Sequence, residues 1–198
     1  MANVNRRTSA RTGLPTTSQL ENELNREKYR RRYSSTLRST IYILITVAAA
    51  AVLLATQVFP IFRIYGTSMQ PTLEQGDLVV AINTSKVKQG DLIAFYYSGK
   101  LLVKRVIATE NDWVNIDRDG NVFVNNILID EPYLTSQAFG ECDIDLPYQV
   151  PEKSIFVMGD HRETSRDSRS KEIGAISLNE CAGKLLLRIW PYKQLRKF

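Results

Sequence analysis

Ser68 and Lys104 are the two side chains whose types and surroundings could together cut an amide bond. Ser68 lies in Gly66-Thr67-Ser68-Met69-Gln70-Pro71-Thr72-Leu73. A serine placed just after a strand, with glycine before it and proline after it, can present its hydroxyl on a fixed backbone at the mouth of a groove. Its own N–H can then face an oxyanion. Taken alone, most such segments are merely turns. A serine nucleophile needs a base, and lysine serves only if burial in apolar surroundings lowers its pKa by penalising the charged form. Lys104 has that kind of address in Leu101-Leu102-Val103-Lys104-Arg105-Val106-Ile107-Ala108, where the two-residue period puts it on one face with Leu102 and Val106, although taken alone it reads more often as a surface lysine on a half-exposed strand. Arg105 points the other way and stays protonated, so it cannot act as a base.

A third segment, Met158-Gly159-Asp160-His161-Arg162-Glu163-Thr164-Ser165-Arg166-Asp167-Ser168-Arg169, reads by default as a solvated charged loop. It could also supply the orienter that a nucleophile and base require: Ser165 could hydrogen-bond the Lys104 amine, and Asp167 could pair with Arg169 to hold the loop. His161 is the only histidine, which removes paired-histidine zinc sites, and there is neither a glycine-rich phosphate loop nor a Cys-x-x-Cys redox pair. Counting alone leaves a Ser-His-Asp arrangement through His161 open. Cys142 and Cys181 lack the spacing of a metal site; a disulfide and two unpaired thiols both remain open.

The elements that must position these residues begin after residue 60, where short β-branched and aromatic runs alternate with turn pairs. The pattern predicts strands at Ile61 to Tyr65, Asp77 to Ile82, Asp91 to Tyr97, Leu101 to Ala108, Trp113 to Ile116, Asn121 to Val124, Ser154 to Met158 and Gly183 to Trp190. Gly76-Asp77 and Gly90-Asp91 mark strand entries, and Asp119-Gly120 signals a hairpin. Residues 130–150 are irregular and acidic, with no clear period. The fold class is mostly β.

Upstream, residues 41–59 contain no charged side chain and, at 1.5 Å rise per residue, come to about the hydrocarbon thickness of a bilayer. Continuous apolarity around every helical face, behind the basic run Arg26 to Arg38, predicts one membrane-spanning helix. Residues 1–25 read as a solvated tail. The net charge of +5 sits wholly in the first fifth of the chain: residues 1–40 hold nine Lys/Arg against three Glu, leaving 17 Lys/Arg and 18 Asp/Glu elsewhere. Topology thus accounts for the charge, and a nucleic-acid partner is not expected. The organisation expected is a basic cytoplasmic tail (1–40), a transmembrane helix (41–59) and an extracytoplasmic β-rich domain (60–198), anchored in the plasma membrane as a single-pass protein.

In order along the chain, the boxes Ser68-Met69-x-Pro71-Thr72-Leu73, Lys104-Arg105-Val106 and Gly159-Asp160 followed by Ser165-x-Asp167-Ser168-Arg169 resemble those of the type I signal peptidase family in its bacterial Ser-Lys form. The weaker segments Gly76-Asp77, Gly90-Asp91 and Ala182-Gly183-Lys184 fall in the family's order. The resemblance implies a signal-peptidase-like β-rich catalytic domain that uses no metal or organic cofactor. It maps the nucleophile to Ser68, the base to Lys104 and the lysine-orienting hydroxyl to Ser165, with Asp167 and Arg169 in support. It implies cleavage of preprotein signal peptides after small-x-small motifs through an acyl-enzyme. The substrate would be added as a strand along Ile64, Tyr65 and Gly66 and along Leu102 and Val103. The Ser68 N–H would hold the oxyanion; some relatives add a serine hydroxyl two positions earlier, where this chain has Gly66, so a second donor there would be backbone or absent. His161 stands where asparagine usually follows Gly-Asp. Further partners implied are the bilayer and secretion or pilus-assembly machinery. The competing readings are a self-cleaving repressor-type peptidase and a catalytically idle scaffold; the span argues against the first and the retained Ser68, Lys104 and Ser165 against the second.

Overall fold

The computed structural model describes residues 17–84 and 86–198. The chain divides into two compact units, one ending at Leu53 and the other starting at Leu54. The first contains most of α1 (Thr17–Val58), a 42-residue helix with no buried residue. Its apolar part is long and uncharged enough to cross a membrane. The helix starts well before the apolar stretch, so residues 17–25, read from sequence as part of a solvated tail, are helical. They are solvated nonetheless. Leu, Glu, Arg and Lys are strong helix formers, and they extend a helix that the apolar segment has already nucleated. Glu27 adds weak exposed pairs to Arg30 at 3.9 Å and Arg31 at 3.8 Å.

The second unit is β-rich, as the residue patterning predicts. Its strands are β1 (Ile61–Arg63), β2 (Leu78–Ile82), β3 (Leu92–Tyr97), β4 (Lys100–Ala108), β5 (Trp113–Ile116), β6 (Val122–Val124), β7 (Ile127–Leu128), β8 (Tyr148–Gln149), β9 (Ser154–Met158), β10 (Ile176–Ser177), β11 (Cys181–Trp190) and β12 (Arg196–Lys197). The larger sheet runs β1-β2-β11-β3-β4-β9-β10, with β12 beside β11; the smaller runs β7-β6-β5-β8. All pairings are antiparallel. Ser98 and Gly99, both with positive φ (48° and 73°), close the β3–β4 hairpin in the primed geometry that matches strand twist. The short strands β7, β8, β10 and β12 have too few residues to leave a periodic signature.

Three apolar clusters hold the unit together. One, built on Ile64, Met69, Leu73, Val79, Ala81, Leu92, Ala94 and Leu185, lies under the start of the larger sheet. Another joins the two sheets through Ile107, Val114, Val122, Val150 and Phe156. Both aspartates read as strand-entry markers are tied to β11: Asp77 to Arg188 at 2.9 Å and Asp91 to Lys184 at 2.8 Å. Cys142 and Cys181 are unpaired, and burial pushes both thiols up, Cys181 to about 11, so both stay protonated at neutral pH.

Candidate active site

The segment after β1 is pinned from below. Met69 and Leu73 on either side of the Gln70-Pro71-Thr72 turn are buried at 3% and 0% exposure, while Ser68 between them and the surface is half-buried. Each buried side chain contributes about 1.5–3 kcal/mol, enough to fix the segment's path. Gly66 has φ +86°, the left-handed region where a side chain is strained, so the turn itself favours glycine at that position. The amide of His161 donates to the carbonyl of Ser68 at 3.0 Å, tying the loop after β9 to the serine's own backbone. The His161 ring is engaged elsewhere, its Nδ1 lying 2.8 Å from Thr164 Oγ1.

On β4, Lys104 and Arg105 face opposite ways. Arg105 donates to both oxygens of Asp160 at 2.8 and 2.6 Å, to the Gly90 carbonyl at 2.9 Å and to Thr72 Oγ1 at 3.3 Å, with the Tyr133 ring 3.8 Å from its guanidinium carbon. It therefore fastens three chain segments, two of them flanking Ser68 and Lys104. Lys104 is 3% exposed, and its side-chain amine makes no hydrogen bond or ion pair among the described residues. Burial lowers its pKa from 10.5 to about 8; Asp167 opposes that, Arg169 reinforces it and Asp160 opposes it.

The loop after β9 is built around a buried ion pair. Asp167 accepts from Arg169 Nε at 2.8 Å and Nη2 at 2.9 Å, and from the Gly159 amide at 3.0 Å. Burial, the largest influence, would raise the Asp167 pKa, but the Arg169 bonds and charge together bring it below the ordinary carboxylate value. Arg169 also caps the carbonyls of Phe139 at 2.7 Å and Arg162 at 2.9 Å. Ser168 exchanges bonds with Val157 at 2.9 and 3.1 Å, docking the loop onto β9. Ser165 is buried, and its Oγ meets no partner at full hydrogen-bond geometry among the described residues, though it lies near enough to Asp167 to help lower that carboxyl's pKa.

Gly159 is where these parts meet. Arg105 pairs with Met158 across the β4–β9 ladder, so one residue further Gly159 stands opposite Lys104. A Cβ on Gly159 would lie 2.2 Å from Ser165 Oγ and 2.6 Å from the Ser68 carbonyl oxygen. Ser68, Lys104 and Ser165 therefore gather around one glycine that leaves no side chain among them. Beside Ser68, a narrow cleft of about 40 Å³ is lined by Ile64, Tyr65 and Gly66 on one wall and Leu102 and Val103 on the other.

A family model described as signal peptidase, peptidase S26, matches residues 37–190. The chain belongs to that family. Signal peptidase I of Bacillus caldolyticus is 34% identical over 153 residues, covering 69% of this chain and 82% of the relative. Signal peptidase IB of Staphylococcus aureus (strain COL) is 32% identical over 155 residues, covering 68% and 80%. Thylakoidal processing peptidase 1 of Arabidopsis thaliana is 34% identical over 142 residues, and this chain spans only 40% of its length. A signal peptidase I crystal structure from Enterococcus faecalis V583 is 26% identical, with a TM-score of 0.43, covering 50% of this chain and 95% of that one. As a signal peptidase family member the chain is a hydrolase of the serine peptidase class. The stretch matched contains all three boxes around Ser68, Lys104 and Ser165.

Sequence reasoning missed several residues in this signal peptidase family site. Glu131 pairs with Arg162 in the interior, and Tyr133 donates to Glu131 at 2.6 Å while covering Arg105. Glu131 and Tyr133 lie in the stretch read as irregular, where a carboxylate and an aromatic flanking Pro132 are the only local signal. The acidic partner of Arg105 went unassigned, because strand alternation shows which way a side chain faces and not what it meets.

Proposed function

We propose that this chain is a membrane-bound signal peptidase I that cuts N-terminal signal peptides from exported preproteins after small-x-small motifs. The observation that carries the reading is the meeting of Ser68, Lys104 and Ser165 around Gly159, with the lysine buried and its pKa lowered to about 8. Neutral Lys104 takes the Ser68 proton as Oγ attacks the scissile carbonyl, and the resulting ester is hydrolysed by water. Ser165, its buried hydroxyl beside Asp167, orients the amine, while the Asp167–Arg169 pair holds the loop that carries it. The Ser68 N–H serves the oxyanion; Gly66 adds no side-chain donor.

The cleft beside Ser68 suits an extended peptide added between the Ile64 to Gly66 wall and the Leu102 to Val103 wall. Its volume of about 40 Å³ agrees with small side chains at the first and third positions before the cut. In this reading residues 1–40 stay in the cytoplasm, 41–59 span the plasma membrane and 60–198 work outside it. A preprotein still held by its own apolar segment would then meet an enzyme tethered to the same membrane, delivered by secretion or pilus-assembly machinery.

The test is cleavage of a preprotein whose signal ends in Ala-x-Ala, by the full chain in detergent. Ser68→Ala and Lys104→Ala are expected to abolish it at equal folded amounts, and His161→Ala to retain it. A folded wild type that cuts no such substrate would leave the scaffold reading in place.

A further inference from the structure

A second cavity, of about 470 Å³, is lined by residues of the β3–β4 hairpin and of the loop after β9, and shares Leu102 with the Ser68 cleft. Its lining includes Lys104, Lys100, Thr164, Arg166 and Glu172. The proposed chemistry does not yet use it.

Resting on the proposed peptidase reading, we infer that this cavity seats the leaving side of the substrate, the first residues after the scissile bond, and favours a segment carrying a carboxylate there. When the Ser68 Oγ–carbon bond forms and the scissile C–N bond breaks, the proton that left Ser68 must pass from the Lys104 ammonium to the departing nitrogen. The leaving segment must therefore lie where Lys104 is reached. The narrow Ser68 cleft takes the acyl part, and the cavity lined by Lys104 takes the rest. Its volume falls within the range of pockets that hold ligands larger than one side chain.

The charges on its walls give it a preference. Arg166 and Glu172 pair with each other, and Tyr97 donates to the Glu172 carbonyl at 2.8 Å, holding that wall. Lys100, exposed at the hairpin turn, makes no ion pair among the described residues. Lys104 is neutral in the form that attacks. The unmatched charge is thus the Lys100 ammonium, complementary to an aspartate or glutamate shortly after the cut.

The test uses the full chain in detergent and peptides sharing one Ala-x-Ala signal side, with Asp, Ala or Lys at the second and third residues after the scissile bond. The readout is the Asp-to-Lys ratio of kcat/KM within each enzyme, so changes common to all peptides drop out. The wild type is expected to favour Asp by about two- to fivefold at low salt, the range of an exposed charge pair, and to lose the preference at high salt. Lys100→Gln is expected to bring the ratio near unity and Lys100→Glu to reverse it. A wild type that cuts the Ala peptide but treats Asp and Lys alike, or a preference unchanged in both variants, overturns this inference and leaves the proposed function standing. A wild type that cuts none of the peptides overturns that function, and this inference with it.

Discussion

A Cβ carried on Gly159 would stand 2.2 Å from Ser165 Oγ, closer than any two such atoms can pack. The neighbour on the other side is the Ser68 main-chain carbonyl at 2.6 Å, which is not the tip of a flexible side chain and cannot swing away. Gly159→Ala is therefore expected to push the serine segment and the β9 loop apart. The cost should be about 1–3 kcal/mol of stability and, since a misplacement near 1 Å is worth about 10²-fold, at least that loss in kcat/KM. Thermal unfolding and cleavage kinetics, both below the variant's transition, check the two together. Wild-type kinetics in Gly159→Ala would refute the arrangement.

Lys104 acts as a base only when neutral, so kcat/KM should climb with pH along a limb centred near pH 8. Asp160 holds the lysine's pKa up, and its removal also leaves the Arg105 charge uncompensated nearby. Both effects disfavour the ammonium. Asp160→Asn is thus expected to move the limb to lower pH, whatever it does to the plateau. A pH profile of the two proteins on one substrate decides it, and a shift to higher pH would contradict the electrostatic picture.

The same lysine should leave a mark on stability. With a pKa near 8 when folded and 10.5 when not, the unfolded chain binds more protons between those values, so stability rises with pH across that window. Below about pH 8 the burial of the charged amine costs about 3 kcal/mol in full. Lys104→Met is expected to be more stable than the wild type at neutral pH, with the gap closing as pH rises towards 10.5. Unfolding followed at several pH values measures the gap directly; a constant gap would show that the wild-type lysine is not desolvated.

Asp167 and Arg169 have no exposed side-chain surface. Asp167→Ala strands the Arg169 guanidinium in the interior and frees the Gly159 amide, at an expected cost of about 3–5 kcal/mol. Adding Arg169→Met to it should recover part of that loss without restoring activity, because the apolar side chain removes the stranded charge but not the missing loop contacts. Denaturant midpoints of the two variants test the order.

Much of this was legible in the residues. The strands from Trp113 and Ser154 match their expected bounds, and those around Lys104, Asp77 and Asp91 match within a residue, because apolar alternation and turn pairs are local properties of the chain. A charge set in an apolar strand left Lys104 readable as a buried base or as a surface lysine, and the fold buries it. The helical state of residues 17–25 was not legible, since a polar stretch with no packing face takes its conformation from the helix it continues.

The sequence by itself determined which side chains could do the chemistry, their order, the β class of the domain and the presence of one apolar helix. Only the tertiary structure decided that Gly159 would be the meeting place of Ser68, Lys104 and Ser165, that Arg105 would close on Asp160, that Cys142 and Cys181 would stay apart, and that Lys104 would line a second cavity. The reason is physical. Periodicity and turn chemistry act between near neighbours, whereas β4 and β9 meet across some fifty residues of chain, and nothing short-range in either strand names the other.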